Sequence, residues 1–348
     1  MNKTFFTYII LFVCTFTLIY SFALNGWRIE ELTKNPMIGP SGQTLLDMGA
    51  KQSSLIVNQG EWFRIFAPMF LHAGLVHYVL NMLALWFIGS AVEKAHGFIN
   101  AAILFAIPAI CGTLLSAVFL PQYITVGASG GIFGLIGACV ADIVKNWSLL
   151  FDNKVIEDSS LAIRHYRVVF ILIVDIVLNC IVGFTPLIDN FTHLGGMIFG
   201  FLLGLSAMEK LSSDFFGIEK GFNYRLKQIF IRFFGLIISV IAITITVAVL
   251  ADSDGVSIPC DKCRYFSCIP FPPWQPEEKR WWNCDDCGLV TADARRDHTN
   301  TYFAELILTC PDKQVEWIDI SDGNLTDGND LAKKLVFYCR THCENIIA

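Results

Sequence analysis

Charge is what this chain has least of. Only 16% of its 348 residues are Asp, Glu, Lys or Arg, against 54% hydrophobic, where a soluble domain carries about 25% charged residues. A single soluble globule is excluded, and a polytopic membrane protein with the lipid bilayer as its surroundings is indicated. Basic residues are the scarcer kind, 25 against 31 acidic for a net charge of −6, so no nucleic-acid partner is expected. The scarcity is uneven. From residue 251 onward 10 Lys/Arg stand against 17 Asp/Glu, a net −7, which leaves +1 for residues 1–250. Cysteine follows the same divide. Cys14, Cys111, Cys139 and Cys180 are scattered through apolar segments, and the other eight of the 12 lie in the tail. Two parts with different solvents are implied.

Seven apolar segments, at about 4–24, 75–95, 98–120, 126–144, 167–188, 191–208 and 228–251, are long enough or nearly so to cross ~30 Å of hydrocarbon as helices. The fourth, fifth and sixth are shorter or richer in glycine than lipid-facing helices usually are. The first also reads as a signal peptide ending near Ser21-Phe22-Ala23, but its length favours a retained span. Lys145, Lys154, Arg164 and Arg167 follow the fourth segment, and Lys210, Lys220, Arg225 and Lys227 follow the sixth, with Arg232 just inside the seventh. The connections between segments three and four, and five and six, have no Lys or Arg. The positive-inside rule then puts the N-terminus in the cytosol and the tail outside. In the loop after the first segment, Trp62, Phe63, Ile65, Phe66, Met69, Phe70 and Leu71 form an aromatic amphipathic stretch suited to the membrane interface.

Gly127-Ala128-Ser129-Gly130-Gly131 opens the fourth segment. Glycines leave room around the Ser129 hydroxyl, and a helix N-terminus offers free N–H groups and a positive dipole end to a negative oxygen. A hydroxyl becomes a nucleophile when a base lies within reach. His193, near the start of the sixth segment, enters from the same face, so it and Ser129 share a depth just below the outer surface. Gly127, Gly131 and Gly134, with Gly196, Gly200 and Gly204, also read as small-residue faces for close helix packing, which a dyad between two helices itself requires. His77 and Asn81 stand at i and i+4 on the second segment. They suit an oxyanion hole, with the Ser129 N–H as a further donor; interhelical polar packing is the alternative. His72 reads as structural. Phe133, one turn after Ser129, is placed to pack on the His193 ring. Asp175 would lie at mid-membrane, about 10 Å too deep to reach His193, so a dyad is expected rather than a triad; Glu93 is too far toward the cytosolic side to be catalytic.

These residues resemble the rhomboid intramembrane serine proteases. Gly127-Ala128-Ser129-Gly130 matches the family's GxSG motif, and His193 with Gly196 and Gly200 matches its His-bearing sixth core helix. His72 through His77 to Asn81 matches its paired histidines and asparagine, and Glu61-Trp62-Phe63-Arg64 is similar to its first-loop Trp-Arg signature. The resemblance covers residues 1–210. It implies Ser129 as nucleophile, His193 as general base, His77 and Asn81 in the oxyanion hole, a water-accessible cavity opening outward, single-span membrane proteins as substrates, and neither metal nor cofactor. Two positions depart from the pattern. The Trp-Arg pair reads Phe63-Arg64, and the aromatic after the serine, often Tyr, is Phe133. Inactive relatives lose the serine or histidine or put proline beside the serine, and none of these occurs here.

The expected fold is therefore an all-α polytopic membrane protein, a rhomboid-like six-helix bundle in residues 1–210. A linker and seventh transmembrane helix follow in 211–251, and a small Cys-rich, acidic extramembrane domain in 252–348. The extra span after the core is similar to secretory-pathway members, so a place in the endoplasmic reticulum, Golgi or plasma membrane is expected. The tail resembles no known family. Cys260-x-x-Cys263 and Cys284-x-x-Cys287 have zinc-ribbon spacing, but an outward-facing tail is oxidised, and disulfides are the reading preferred. Asn324-Leu325-Thr326 is a glycosylation sequon, and the tail has room for a lumenal partner. The rival functions are a rhomboid-like adaptor that binds transmembrane helices without cutting them, and a channel or transporter, for which Asp175 alone is thin support.

Overall fold

The computed structural model describes residues 4–32, 35–121, 123–147, 159–185, 188–207, 222–253, 255, 263–276, 279, 281, 284, 290–310 and 314–323, with scattered positions between 325 and 342. Lys154, Lys210, Lys220, Cys260, Cys287, Cys343 and Asn324, and the expected boundary at 210/211, lie outside the described residues.

Every apolar segment read from the sequence is helical. Five helices are long and apolar enough to cross a membrane: α1 (Phe5–Leu24), the continuous run Leu75–His96, α6 (Phe98–Phe119), α9 (Asn190–Ala207), and Ile229–Asp252 within α10 (Phe222–Asp252). Leu75–His96 comprises α4 (Leu75–Ala84), a π-helical turn over Leu85–Gly89 and α5 (Ser90–His96). The other two expected spans are helices that fall short of that measure. α7 (Ser129–Lys145) has 17 residues, and α8 (Ser159–Val182) has a shorter apolar stretch, Val169–Val182. α7 begins directly after a glycine turn: Gly127 has φ +135°, a conformation residues other than glycine rarely adopt.

Burial explains how the helices sit. On α1, Phe6, Ile10, Cys14 and Leu18 recur every four residues and are buried, whereas Phe5, Ile9, Phe12 and Phe16 are exposed to where lipid would be. Glu93, on α5, is buried and accepts hydrogen bonds from the N–H groups of Phe6 and Thr7 and the Thr7 hydroxyl, at 2.8, 3.0 and 2.9 Å. It therefore caps the open N-terminus of α1, where an anion is favoured. The central layer is α6, α7 and α9. Here glycine brings backbones into contact: a Cβ at Gly196 would lie 2.1 Å from the Gly130 carbonyl oxygen, and one at Gly200 would lie 2.1 Å from that of Gly134.

Between α1 and α4 the chain folds back as α2 (Gly42–Asp47), α3 (Ser53–Asn58) and two 3₁₀ turns over Trp62–Ile65 and Ala67–Phe70. Trp62, Phe63 and Phe66 are exposed, and Ile65 and Met69 are buried, the amphipathic pattern the sequence shows. Buried Arg64 holds the loop together by donating to the Leu46 and Ala50 carbonyls and to Glu61.

The all-α expectation fails in the tail. After a four-residue helix, α11 (Arg264–Ser267), the chain forms a three-stranded antiparallel sheet of β1 (Thr291–Arg296), β2 (Phe303–Thr309) and β3 (Val315–Asp319), in that order. Leu306 and Leu308 alternate inward along β2 and pack with Ile318 and Ile320, the period-two pattern of a half-buried strand. Seven-residue runs of this kind are easily passed over beside the apolar spans. Cys268 and Cys284 form a disulfide, and Cys263, Cys310 and Cys339 are disulfide-bonded as well. The described cysteines of the tail are thus used as staples for a small core.

Candidate active site

Ser129 is the first residue of α7 and is half-buried. Gly127, two residues before it, has its N–H tied to the Pro68 carbonyl at 2.8 Å. A Cβ there would meet His77 Cε1 at 2.8 Å, His77 Nε2 at 3.0 Å and Ser129 Oγ at 3.5 Å. The His77 ring and the Ser129 hydroxyl therefore flank one small space that exists because residue 127 has no side chain. His77 Nδ1 accepts from the Ala73 N–H at 3.4 Å, which in the neutral ring leaves the proton on Nε2, the nitrogen on that side. Asn81, one turn on, is buried and gives one amide hydrogen to the His77 carbonyl at 2.9 Å; its second N–H is unspent.

His193 is the fourth residue of α9 and is buried. Its ring stacks on Phe133 with centroids 4.2 Å apart and planes 14° from parallel, so the aromatic one turn below Ser129 sets the orientation of the imidazole. Its Nδ1 is buried and has no hydrogen-bond partner. His72 lies beside these residues rather than among them. It is buried, with its ring edge-on to those of His77 and Tyr78, and burial pushes it down to about 3 with His77 adding to the effect, so it packs as a neutral ring. Asp175 pairs with Asn179 on its own helix.

The sequence reading missed Asp189 and Lys51. Asp189 caps α9. Its carboxylate accepts the N–H groups of Phe191 and Thr192 at 3.0 and 3.1 Å, the Thr192 hydroxyl at 3.0 Å, the Thr125 hydroxyl at 2.7 Å and the Ser116 hydroxyl. Burial acts to raise this carboxyl, but the Lys51 charge and these bonds together hold it below the ordinary carboxylate value. Lys51 is fully buried, with its ammonium donating to the Leu120 and Tyr123 carbonyls at 2.8 Å each. Asp189 had a readable signal, since Asp before an apolar helix is an N-cap signature. Lys51 had none, because only the closure of the loop between α1 and α4 onto Thr125 buries it.

The pair makes a pH prediction. Burial lowers Lys51 from 10.5 to about 8, against the pull of Asp189. The unfolded chain therefore binds this proton more tightly, and stability rises as pH climbs from about 8 toward 10.5, by about 3 kcal/mol from this group. Thermal unfolding in detergent should show that rise in the wild type and lack it in Lys51→Met; parallel curves would refute it.

A family model described as the rhomboid domain matches residues 59–210. RHOMBOID-like protein 1 of Arabidopsis thaliana is 33% identical over 261 residues, covering 72% of this chain and 64% of that one. Inactive RHOMBOID-like protein 8 from the same plant is 32% identical over 264 residues, 72% of each chain. The chain belongs to the rhomboid family. Rhomboid protease GluP of Bacillus subtilis (strain 168) is 38% identical over 160 residues, 46% of this chain and 28% of that protein. Rhomboid relatives at similar distances thus include one named a protease and one named inactive. The matched rhomboid domain contains every residue described above around Ser129 and His193, but not Lys51.

Proposed function

We propose that this chain is an intramembrane serine endopeptidase that cuts transmembrane segments of single-span proteins through a Ser129–His193 dyad. The observation that carries the reading is the cluster of the α7 N-terminus, the His77 ring across Gly127 and the His193 ring stacked on Phe133. His193 takes the Ser129 proton as Oγ attacks the scissile carbonyl carbon. The negative oxygen that forms is held by His77 Nε2–H, the spare Asn81 N–H and the Ser129 N–H at the positive end of α7. His193 then returns the proton to the leaving amine, and water releases the acyl group by the same steps. With Nδ1 of His193 unpartnered, no acid hydrogen-bonds the imidazolium; the stacked face of Phe133 and the charge of the Asp189 carboxylate favour it instead. No metal or cofactor is required by this chemistry. Substrate helices must unwind locally, because helical carbonyls are already hydrogen-bonded.

All seven apolar helices cross the bilayer in this reading. Residues 1–210 form the protease core, 211–251 the linker and seventh span, and 252–348 a lumenal or extracellular domain; the N-terminus is cytosolic and the protein belongs to the secretory pathway. The disulfides of the tail support an oxidising side for it.

A fluorophosphonate probe tests the nucleophile without knowledge of the substrate. Folded protein in detergent should be labelled at Ser129, and labelling should vanish in His193→Ala. The relative named inactive favours one second reading, an adaptor that binds spans without cutting. Folded wild type that takes no label is the outcome that would support the adaptor and sink the dyad.

A further inference from the structure

The tail reaches the site. The short helix α11 lies against the start of α9, where the Phe266 carbonyl accepts from Asn190 Nδ2 at 2.7 Å and the Phe266 ring packs edge-on to Phe191 at 5.2 Å. The Ile269 N–H donates to the Phe184 carbonyl, in the connection between α8 and α9, at 2.9 Å. On the other side, the Tyr123 hydroxyl donates to the Cys284 carbonyl at 2.9 Å, and the Cys268–Cys284 disulfide joins the two ends. The segment Arg264–Cys268 is thus a strap against the mouth of the α7–α9 pair, held on one side through Phe266 and on the other through the disulfide to Cys284.

A cavity of about 150 Å³ lies beneath the strap. Leu45, Leu120 and Ile188 give it apolar walls, His77 and the hydrogen-bonded Thr125–Asp189 pair give it a polar side, and Ser267 and Cys268 of the strap complete the lining. Ser267 Oγ is buried with no hydrogen-bond partner, an unmet polar group that costs about 1–3 kcal/mol unless something bonds to it. A cavity of this size takes one leucine- or ring-sized apolar group. An unwound substrate segment supplies both requirements at once, a side chain for the cavity and free backbone N–H and C=O groups for Ser267.

We propose that the strap Arg264–Cys268 is a wall of the substrate site, and that the cavity it closes selects an aliphatic side chain beside the scissile bond while Ser267 Oγ hydrogen-bonds the substrate backbone. The inference rests on the protease reading for the position of the scissile bond, and on this chain's own tail for the rest. Ser267 and Leu45, which line the same cavity, are specificity-determining residues.

The test uses the full-length chain carrying Ser129→Ala, in detergent, and measures binding of fluorescent single-span peptides with Ala, Leu or Trp at each position around a central helix break. At one position Leu should bind about 10-fold or more tighter than Ala. Adding Ser267→Leu should reverse that preference toward Ala, and adding Leu45→Ala should shift it toward Trp. Opposite shifts cannot come from loss of fold, which would weaken all peptides alike; if Ser267→Leu does so, the Leu45→Ala shift decides. The same preference in all three proteins overturns the proposal. So does uniformly tighter binding of every peptide after reduction of the Cys268–Cys284 bond, which would make the strap a cover that excludes substrate. Cleavage by the Ser129 form is scored separately: selective binding without cleavage leaves the strap assignment standing and removes the protease.

Discussion

Ser129→Ala, reconstituted in liposomes with a single-span substrate, is expected to lose cleavage by a factor of roughly 10⁴ or more. His193→Ala should lose about as much, and the double variant should be no worse than either single one. Non-additivity is the informative part. A hydroxyl without its base and a base without its hydroxyl are equally unable to form the acyl bond, so the second removal deletes nothing further. Two residues that acted independently, for example by holding helices together, would instead show losses that multiply. The structure gives reason to expect coupling, because the residues flanking the Ser129 hydroxyl and the His193 ring are fixed by the same α7–α9 contact. Equal product from wild type and Ser129→Ala would mean another nucleophile, and the dyad would fall.

The residues of the candidate site stand out in the sequence, for a physical reason. Ser129 between glycines and His193 in an apolar run are expensive choices in a membrane, and expensive choices stand out. The Phe133–His193 stack was readable because helical spacing alone puts residue 133 one turn below residue 129. Lys51 was not readable: a lysine in a long loop between apolar segments looks solvated until the loop folds over it, and its two carbonyl partners, Leu120 and Tyr123, lie just beyond the end of α6. Asp189 is legible only as a helix cap, an Asp just before an apolar run, and nothing at that position points to the lysine it meets. In the tail, the cysteine count spoke for staples, but no local pattern announced that Arg264–Cys268 and Cys284 would lie at the mouth of the bundle. That arrangement depends on Phe266 meeting Phe191 and Tyr123 meeting Cys284, contacts between residues 75 and more apart. The three strands were hidden by contrast, short period-two runs beside spans several times more apolar.

Gly196→Ala is expected to be nearly as damaging as loss of the nucleophile, by a different route. The added methyl would lie 2.1 Å from the Gly130 carbonyl oxygen and 3.0 Å from its carbon, atoms of the backbone that cannot rotate away as a side chain can. Overpacking commonly costs about 1–3 kcal/mol, and relief here requires α9 to move bodily from α7. That motion separates the two helices carrying Ser129 and His193, and a misplacement of about 1 Å can cost 10²-fold in rate. The expected result is a clear fall in the unfolding midpoint and, per folded molecule, about 10²-fold slower cleavage and fluorophosphonate labelling. Gly328→Ala, where a methyl meets nothing within 4 Å, should change neither. The comparison separates packing from position. Lower stability with an undiminished labelling rate per folded molecule would show that α9 tolerates the displacement, and that the α7–α9 glycine contact serves the fold without setting the geometry of the dyad.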